Sequence, residues 1–279
     1  MAVTLRPAVR FLPLVSAFAL AVPTASAASR SVPPLLFPVV GAVTFRDDFG
    51  EPRGGLRHQG NDLVGDRRDP VVAVEDGTVR YWTTSARAGC MLYLYGSSGT
   101  MYEYIHLNND LTLKNDNKGT CAQGTAYAVP DGTPVVSGQV IGYLGDSGDA
   151  DGIHPHLHFE VHPSGGKAVD PYPFLKKAPH PLVGAPPAGR GFTLKLTGTV
   201  VDASALELTL TVDTLASWPS HMKQKQLNRE LTLTVADPTA VAEARPGSRV
   251  VVWTRPAPGT FEALTGAPDA ITLDRLALR

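Results

Sequence analysis

Three short fragments of this chain carry side chains that could act together on one chemistry. They are His58-Gln59-Gly60-Asn61-Asp62, Tyr104-Ile105-His106-Leu107 and His156-Leu157-His158-Phe159-Glu160. Between them they supply four histidines and the Asp62 carboxylate, in a sequence only 18% charged. Imidazole and carboxylate are what Zn²⁺ takes when it keeps one position open to water rather than being sealed by cysteines.

Each fragment is weak alone. His58 and Asp62 stand four apart, and Gly60 lets the backbone bend so that both tips can converge. An H-x-x-x-D spacing also arises by chance as a solvated loop pair. His106 falls late in an alternating strand, where a single histidine reads as hydrogen-bonded and half-buried. His156 and His158 are two apart, so in a strand they share a face, while Leu157, Phe159 and Val161 point into the core. Glu160 shares the histidine face, either orienting an imidazole or lying solvated. His154, beyond Pro155, and His162 read as rim residues. No H-E-x-x-H helix is present, so a glutamate-base scheme does not apply.

The elements that must position these residues read as β. Val71–Val74, Thr78–Trp82, Met91–Tyr95, Met101–Leu107, Val135–Gly138, Val140–Leu144 and Leu157–Val161 are strand candidates, with turns at Asp76-Gly77 and Asp131-Gly132. Asn108 to Pro130 is polar and turn-rich, a loop long enough to need a function or a staple. Residues 178–190 are rich in proline and glycine and read as a linker. Beyond them, period-two alternation in Phe192–Leu196, Leu206–Val212, Leu231–Val235, Arg249–Trp253 and Ile271–Leu273 suggests a small five-stranded barrel of the OB kind. Trp218 and Trp253 are expected in its core. The fold class is therefore mainly β: an antiparallel sheet domain over 28–177, with its core at 35–175, and an accessory β-barrel over 191–279.

Residues 1–27 read as an export signal: Arg6 and Arg10, an apolar run from Phe11 to Val22, and a small-residue cleavage pattern at Ala25-Ser26-Ala27. The run is shorter than the ~20 residues a membrane span needs. No cysteine sits at the cleavage point to take a lipid, and no stable membrane anchor is expected. The formal net charge of −1 shows no nucleic-acid footprint. The expected location is secreted, or in the periplasm or cell envelope. There, Cys90 and Cys121 are expected to form a disulfide rather than remain two buried thiols.

Taken in order, H-x-G-x-D-L, Y-x-H-L and P-H-L-H-F-E-V resemble the lysostaphin/LytM-type zinc endopeptidases of bacterial cell walls. Asp48-Phe49-Gly50-Glu51-Pro52-Arg53, Gly138–Gly142, Gly145–Gly148 and Asp170-Pro171-Tyr172 fit the same pattern, and the resemblance covers residues 35–175. It implies a single zinc ion held by His58, Asp62 and His158, with His106 and His156 as the catalytic pair. Inactive members commonly lack one or more ligands; here no position of the core motif is missing.

The resemblance also implies a substrate, the peptide part of peptidoglycan, in a groove walled by Phe45–Leu56 and Asn109–Pro130. Two other readings stand beside it: an exported zinc protease acting on glycine-rich proteins, and a non-catalytic wall-binding or regulatory module. Which of His106 and His156 is the base is open, and so is whether residues 28–40 cover the groove.

Overall fold

The computed structural model describes Met1 and residues 32–81, 85–186 and 190–279. Apart from Met1, the expected export signal lies outside the described residues, as does Trp82 at the end of one expected strand.

The first half is built on an antiparallel sheet. A two-residue hairpin, β1 (Pro52–Arg53) and β2 (Leu56–Arg57), precedes β3 (Asn61–Val64), β4 (Pro70–Val72), β5 (Gly77–Tyr81), β6 (Cys90–Gly96), β7 (Met101–Leu107), β8 (Pro134–Val135), β9 (Val140–Tyr143) and β10 (His156–His162). Six of them form one sheet in the order β3-β10-β7-β6-β5-β8, and β4 and β9 pair separately beside it. The alternation in the sequence explains why the sheet has two unlike faces. Leu157, Phe159 and Val161 are fully buried with Tyr102, Tyr104, Leu92, Leu94 and Val79. The opposite face carries His156, His158, Glu160 and His162.

Leu35, Phe37 and Val39 of the entry segment are buried in that same apolar core. The segment packs through Leu36 N–H to Val74 O and Val40 N–H to Pro70 O, and none of residues 32–40 lines the groove.

Asn108–Pro130 contains no regular strand or helix. Two devices hold it. Cys121 is disulfide-bonded to Cys90 at the start of β6. Buried Asp110 accepts N–H bonds from Asp116 and Asn117 and is paired with Arg67, which also forks onto Asp146.

The second half is a closed ring of strands: β11 (Gly191–Ala203), β12 (Glu207–Trp218), β13 (Lys223–Val235), β14 (Arg249–Thr254) and β16 (Thr272–Leu278), with short β15 (Ala257–Pro258) added to β11. β11 pairs with both β12 and β14, β14 with β16, β16 with β13 in parallel, and β13 with β12. This is the five-stranded barrel that the alternation predicts. Its interior is aliphatic, with Leu194, Leu196, Leu208, Leu210, Val212, Leu233, Val250 and Val252.

Neither tryptophan is inside it. Trp218 is 40% exposed, and Trp253 lies outside on the sheet under the Arg275 guanidinium, 4.2 Å from its ring centre. The barrel bore is filled by leucine and valine, leaving no room for an indole.

The composition of residues 178–190 suggests a loose spacer, but Leu182 and Val183 are fully buried in the barrel's apolar cluster. Ala185 N–H donates to Gly138 O, and the His180 ring stacks on Phe37 at 3.8 Å. Proline and glycine shape the path here; the two aliphatic side chains anchor it.

Candidate active site

The register of β3 on β10 sets the site. His158 lies directly opposite Asp62, and His156 opposite Val64, so Asp62 and both histidines share the open face. His58 reaches the same point from the segment just before β3. Its backbone is fixed to Glu51 and Gly50, and its Nδ1 donates to Asp48 O at 2.9 Å. Asp48 is itself buried and accepts from Asn61 Nδ2 at 2.7 Å. Gly60 acts by its lack of a side chain rather than by an unusual turn: a Cβ there would meet Phe159 O at 2.4 Å and His158 Nε2 at 2.9 Å.

Three electron-pair donors therefore converge. His58 Nε2 is 2.8 Å from His158 Nδ1 and 3.0 Å from Asp62 Oδ1, and His158 Nδ1 is 3.1 Å from the same oxygen. The other nitrogen of each ring is already bonded to oxygen: His58 Nδ1 to Asp48 O, and His158 Nε2 to Glu160 Oε1 at 2.9 Å. A ring that donates through one nitrogen presents a lone pair at the other. Two such lone pairs and a carboxylate facing one another call for a cation, and the set fits zinc with a supporting oxygen behind each imidazole. Burial alone raises the Asp62 carboxyl, but the His158 and His58 rings facing it override that and hold the group well below the usual carboxylate range.

His106 is brought to the groove by a break in its strand. Ile105 is paired opposite His158 and lines the groove, so simple alternation would send His106 into the core. The pairing of β6 with β7 is shifted between Cys90 and Leu92, and His106 has a left-handed backbone, φ 62°. Both features turn its side chain onto the same side as Ile105, as bulges beside active sites do. His106 Nδ1 donates to Ser147 O at 2.9 Å, and His156 Nδ1 donates to His154 O at 2.9 Å. Each ring therefore keeps Nε2 for the groove. The two ring centres are 5.0 Å apart. Burial, then the nearby His156, lowers the His106 pKa to about 4, so this ring is neutral at pH 7.

Glu160 takes one of the two roles its spacing leaves open, and His162 departs from the sequence reading. Glu160 is buried and bridges two rings, accepting from His158 and, at 2.7 Å, from His162 Nε2. Burial opposes its ionisation, yet His158 and His162 hold its pKa down to about 2. His162 is not a rim residue: only 8% of it is exposed, because it continues the histidine face between Glu160 and Gly166 O. His154 is exposed and lies at the groove edge.

The groove has a volume of about 550 Å³. One wall is the β1–β2 hairpin, through Arg53, Leu56 and Arg57. The other comes from Ser85–Ala88 and Asp149–His154, not from Asn109–Pro130. That insert is held against the disulfide and Arg67 instead. Asp48, Ser147 and Arg53 are site residues that spacing could not reveal. Only the Asp48–Arg53 and Gly145–Gly148 runs, as parts of the wider motif, pointed toward them.

Residues 56–171 match the profile of peptidase family M23. This segment resembles the domain of peptidase family M23. The matched segment contains all five candidate site residues. A curated relative, the L-Ala–D-Glu endopeptidase of Bacillus subtilis (strain 168), is 28% identical over 150 residues, which are 50% of this chain. The alignment spans only 41% of that relative's length. Among solved structures, the catalytic domain of the antimicrobial peptidase lysostaphin from Staphylococcus simulans is 28% identical to this chain over the aligned part. It covers 48% of this chain and 92% of that one, with a TM-score of 0.36. A zinc-containing peptidase from Vibrio cholerae is 26% identical over 49% of this chain and 39% of its own, with a TM-score of 0.36.

Proposed function

We propose that the protein is an exported zinc metallo-endopeptidase that hydrolyses peptide bonds in the peptide part of bacterial peptidoglycan. One observation carries this reading: His58, Asp62 and His158 converge tip to tip, with His106 and His156 beside them in the same groove. The M23 match over that segment and the L-Ala–D-Glu bond in the name of the Bacillus subtilis relative support the choice of substrate.

His58, Asp62 and His158 would hold the ion. Bound there, zinc polarises a peptide carbonyl and acidifies water. The protein's own contribution is placement and proton handling. His106 and His156 have their Nδ1–H groups committed to carbonyls, so each can accept a proton at Nε2. The pair can take a proton from water and return one to the leaving amine. The protonated ring can also stabilise the negative charge that develops on the carbonyl oxygen. Glu160 and Asp48 keep the ligand rings turned the right way. The hairpin and the Asp149–His154 segment confine an extended peptide across the site.

Mass spectrometry of fragments released from purified peptidoglycan, with and without a chelator, tests the reading. New amino and carboxyl termini that vanish with the chelator and return with zinc are expected. Intact wall peptides, or release indifferent to the chelator, would overturn it.

A further inference from the structure

Three guanidinium groups and three carboxylates line the groove, so its formal charge is balanced with the histidines neutral. The guanidinium groups belong to Arg53, Arg57 and Arg87. Of the acids lining it, Asp62 and Glu160 are engaged by histidines, leaving only Asp149 facing the rim. Asp149 meets Arg87 at 3.4 Å with both side chains more than half exposed, a pairing too solvated to cancel the field.

Arg53 is the most informative of the three. Its Nη2 donates to Asp62 Oδ2 at 2.8 Å and lies 3.4 Å from Asp48 Oδ2. Its side chain is still 44% exposed, and its Nη1 and Nε make no hydrogen bond among the described residues. One end of the guanidinium is thus clamped and the other edge faces the groove. A planar fork held in this way matches a carboxylate with two parallel N–H bonds. The clamp runs through Asp62, and both residues line the same groove. Arg57 spends Nη1 on Gly50 O and is otherwise exposed.

We propose that this edge of Arg53, with Arg57 and Arg87 around it, is a carboxylate-binding subsite. The preferred substrate is then a peptide bearing a free carboxylate next to the scissile bond, not a neutral glycine-rich segment. The inference rests on the peptidase reading only for the word substrate; the binding preference exists whether or not the peptide is cut. A neutral glycine chain gains nothing from three guanidinium groups, whereas a carboxylate gains both charge and geometry.

The experiment compares wall stem peptides having free carboxyls with the same peptides amidated by carbodiimide and ammonia. Binding to the zinc-loaded full chain is measured by calorimetry, and cleavage by mass spectrometry. The acid form should bind about tenfold more tightly than the amide, as for one well-formed charged pair, and show the higher kcat/KM. Arg53→Gln should bring the ratio near one, and Arg53→Lys should restore only part of it. Arg57→Gln with Arg87→Gln, away from Asp62, should reduce the ratio without changing zinc content. Equal binding and equal cleavage of the two forms would overturn the subsite and leave the peptidase reading intact. Preferential binding of the acid with no cleavage of either would support the subsite while the peptidase reading fails.

Discussion

Glu160 Oε1 lies 2.9 Å from His158 Nε2, on the side of the ring away from Asp62 and His58. The carboxylate fixes the ring's tautomer and makes its Nδ1 a better donor to a cation. Replacing Glu160 with Gln removes that charge while keeping the shape. Zinc affinity, measured by competition with a chromophoric chelator, should fall about 10–100-fold. An unchanged affinity would mean that the tautomer is set elsewhere.

His106→Ala and His156→Ala probe proton handling apart from ion binding. Neither ring belongs to the converging trio, so both variants should retain one zinc per chain by elemental analysis. Turnover of wall peptides should drop by about 10²–10⁴-fold in each. Wild-type turnover in either variant would remove that histidine from the catalytic pair.

Gly60→Ala tests the close approach of two backbones. The added methyl would have to displace Phe159 O and the His158 ring. A loss of about 1–3 kcal/mol in stability, typical of overpacking, should come with weaker zinc binding, because the displaced ring belongs to the converging trio. Denaturant unfolding and zinc titration on the same sample would show whether the two effects travel together.

Asp69 provides a pH signature away from the groove. Burial raises its pKa to about 7, against a backbone N–H from Asp66 that pulls the other way. In the unfolded chain it titrates near ~3.9. Between these values the native state keeps a proton that the unfolded state has lost, so this group's contribution to stability falls as pH rises through the window. Asp69→Asn should therefore gain melting temperature over wild type at pH 8 and little at pH 4. Equal differences at both pH values would show that Asp69 ionises normally.

The Cys90–Cys121 bond closes a stretch with a sequence separation of 31. Loop-closure entropy for that length is about 3–4 kcal/mol. Replacing both cysteines with serine should lower stability by up to that amount. Because Asn109–Pro130 does not wall the groove, kcat/KM at 25 °C should change little. A large loss of activity in a folded variant would place the insert in substrate binding after all.

Much of this arrangement can be read from residue order, because strand physics is local. The period-two runs mark both sheets. His156 and His158, separated by a leucine, mark an open face by spacing alone. What cannot be read is whatever depends on one strand's relation to another. The His106 left-handed backbone comes from a register shift against β6. Asp48 matters only because the chain folds back over His58, and the closeness of β10 to Gly60 is a tertiary fact. His162 read as rim because its burial depends on Glu103 and Gly166 packing beside it. Leu182 and Val183, hidden in a proline- and glycine-rich stretch, gave too short an apolar signal to reveal an anchor.

That anchor has mechanical consequences. Leu182 and Val183 plug the barrel, Gln224 grips Leu182 O, and Arg229 grips His180 O. Met222 packs against the patch of Leu36, Val40 and Val72. The C-terminal unit is thus a buttress and not a tethered arm. Anything it grasps is held at a set distance from the groove, as by a calliper, and severing the chain near residue 180 would strip an apolar seam from both halves at once.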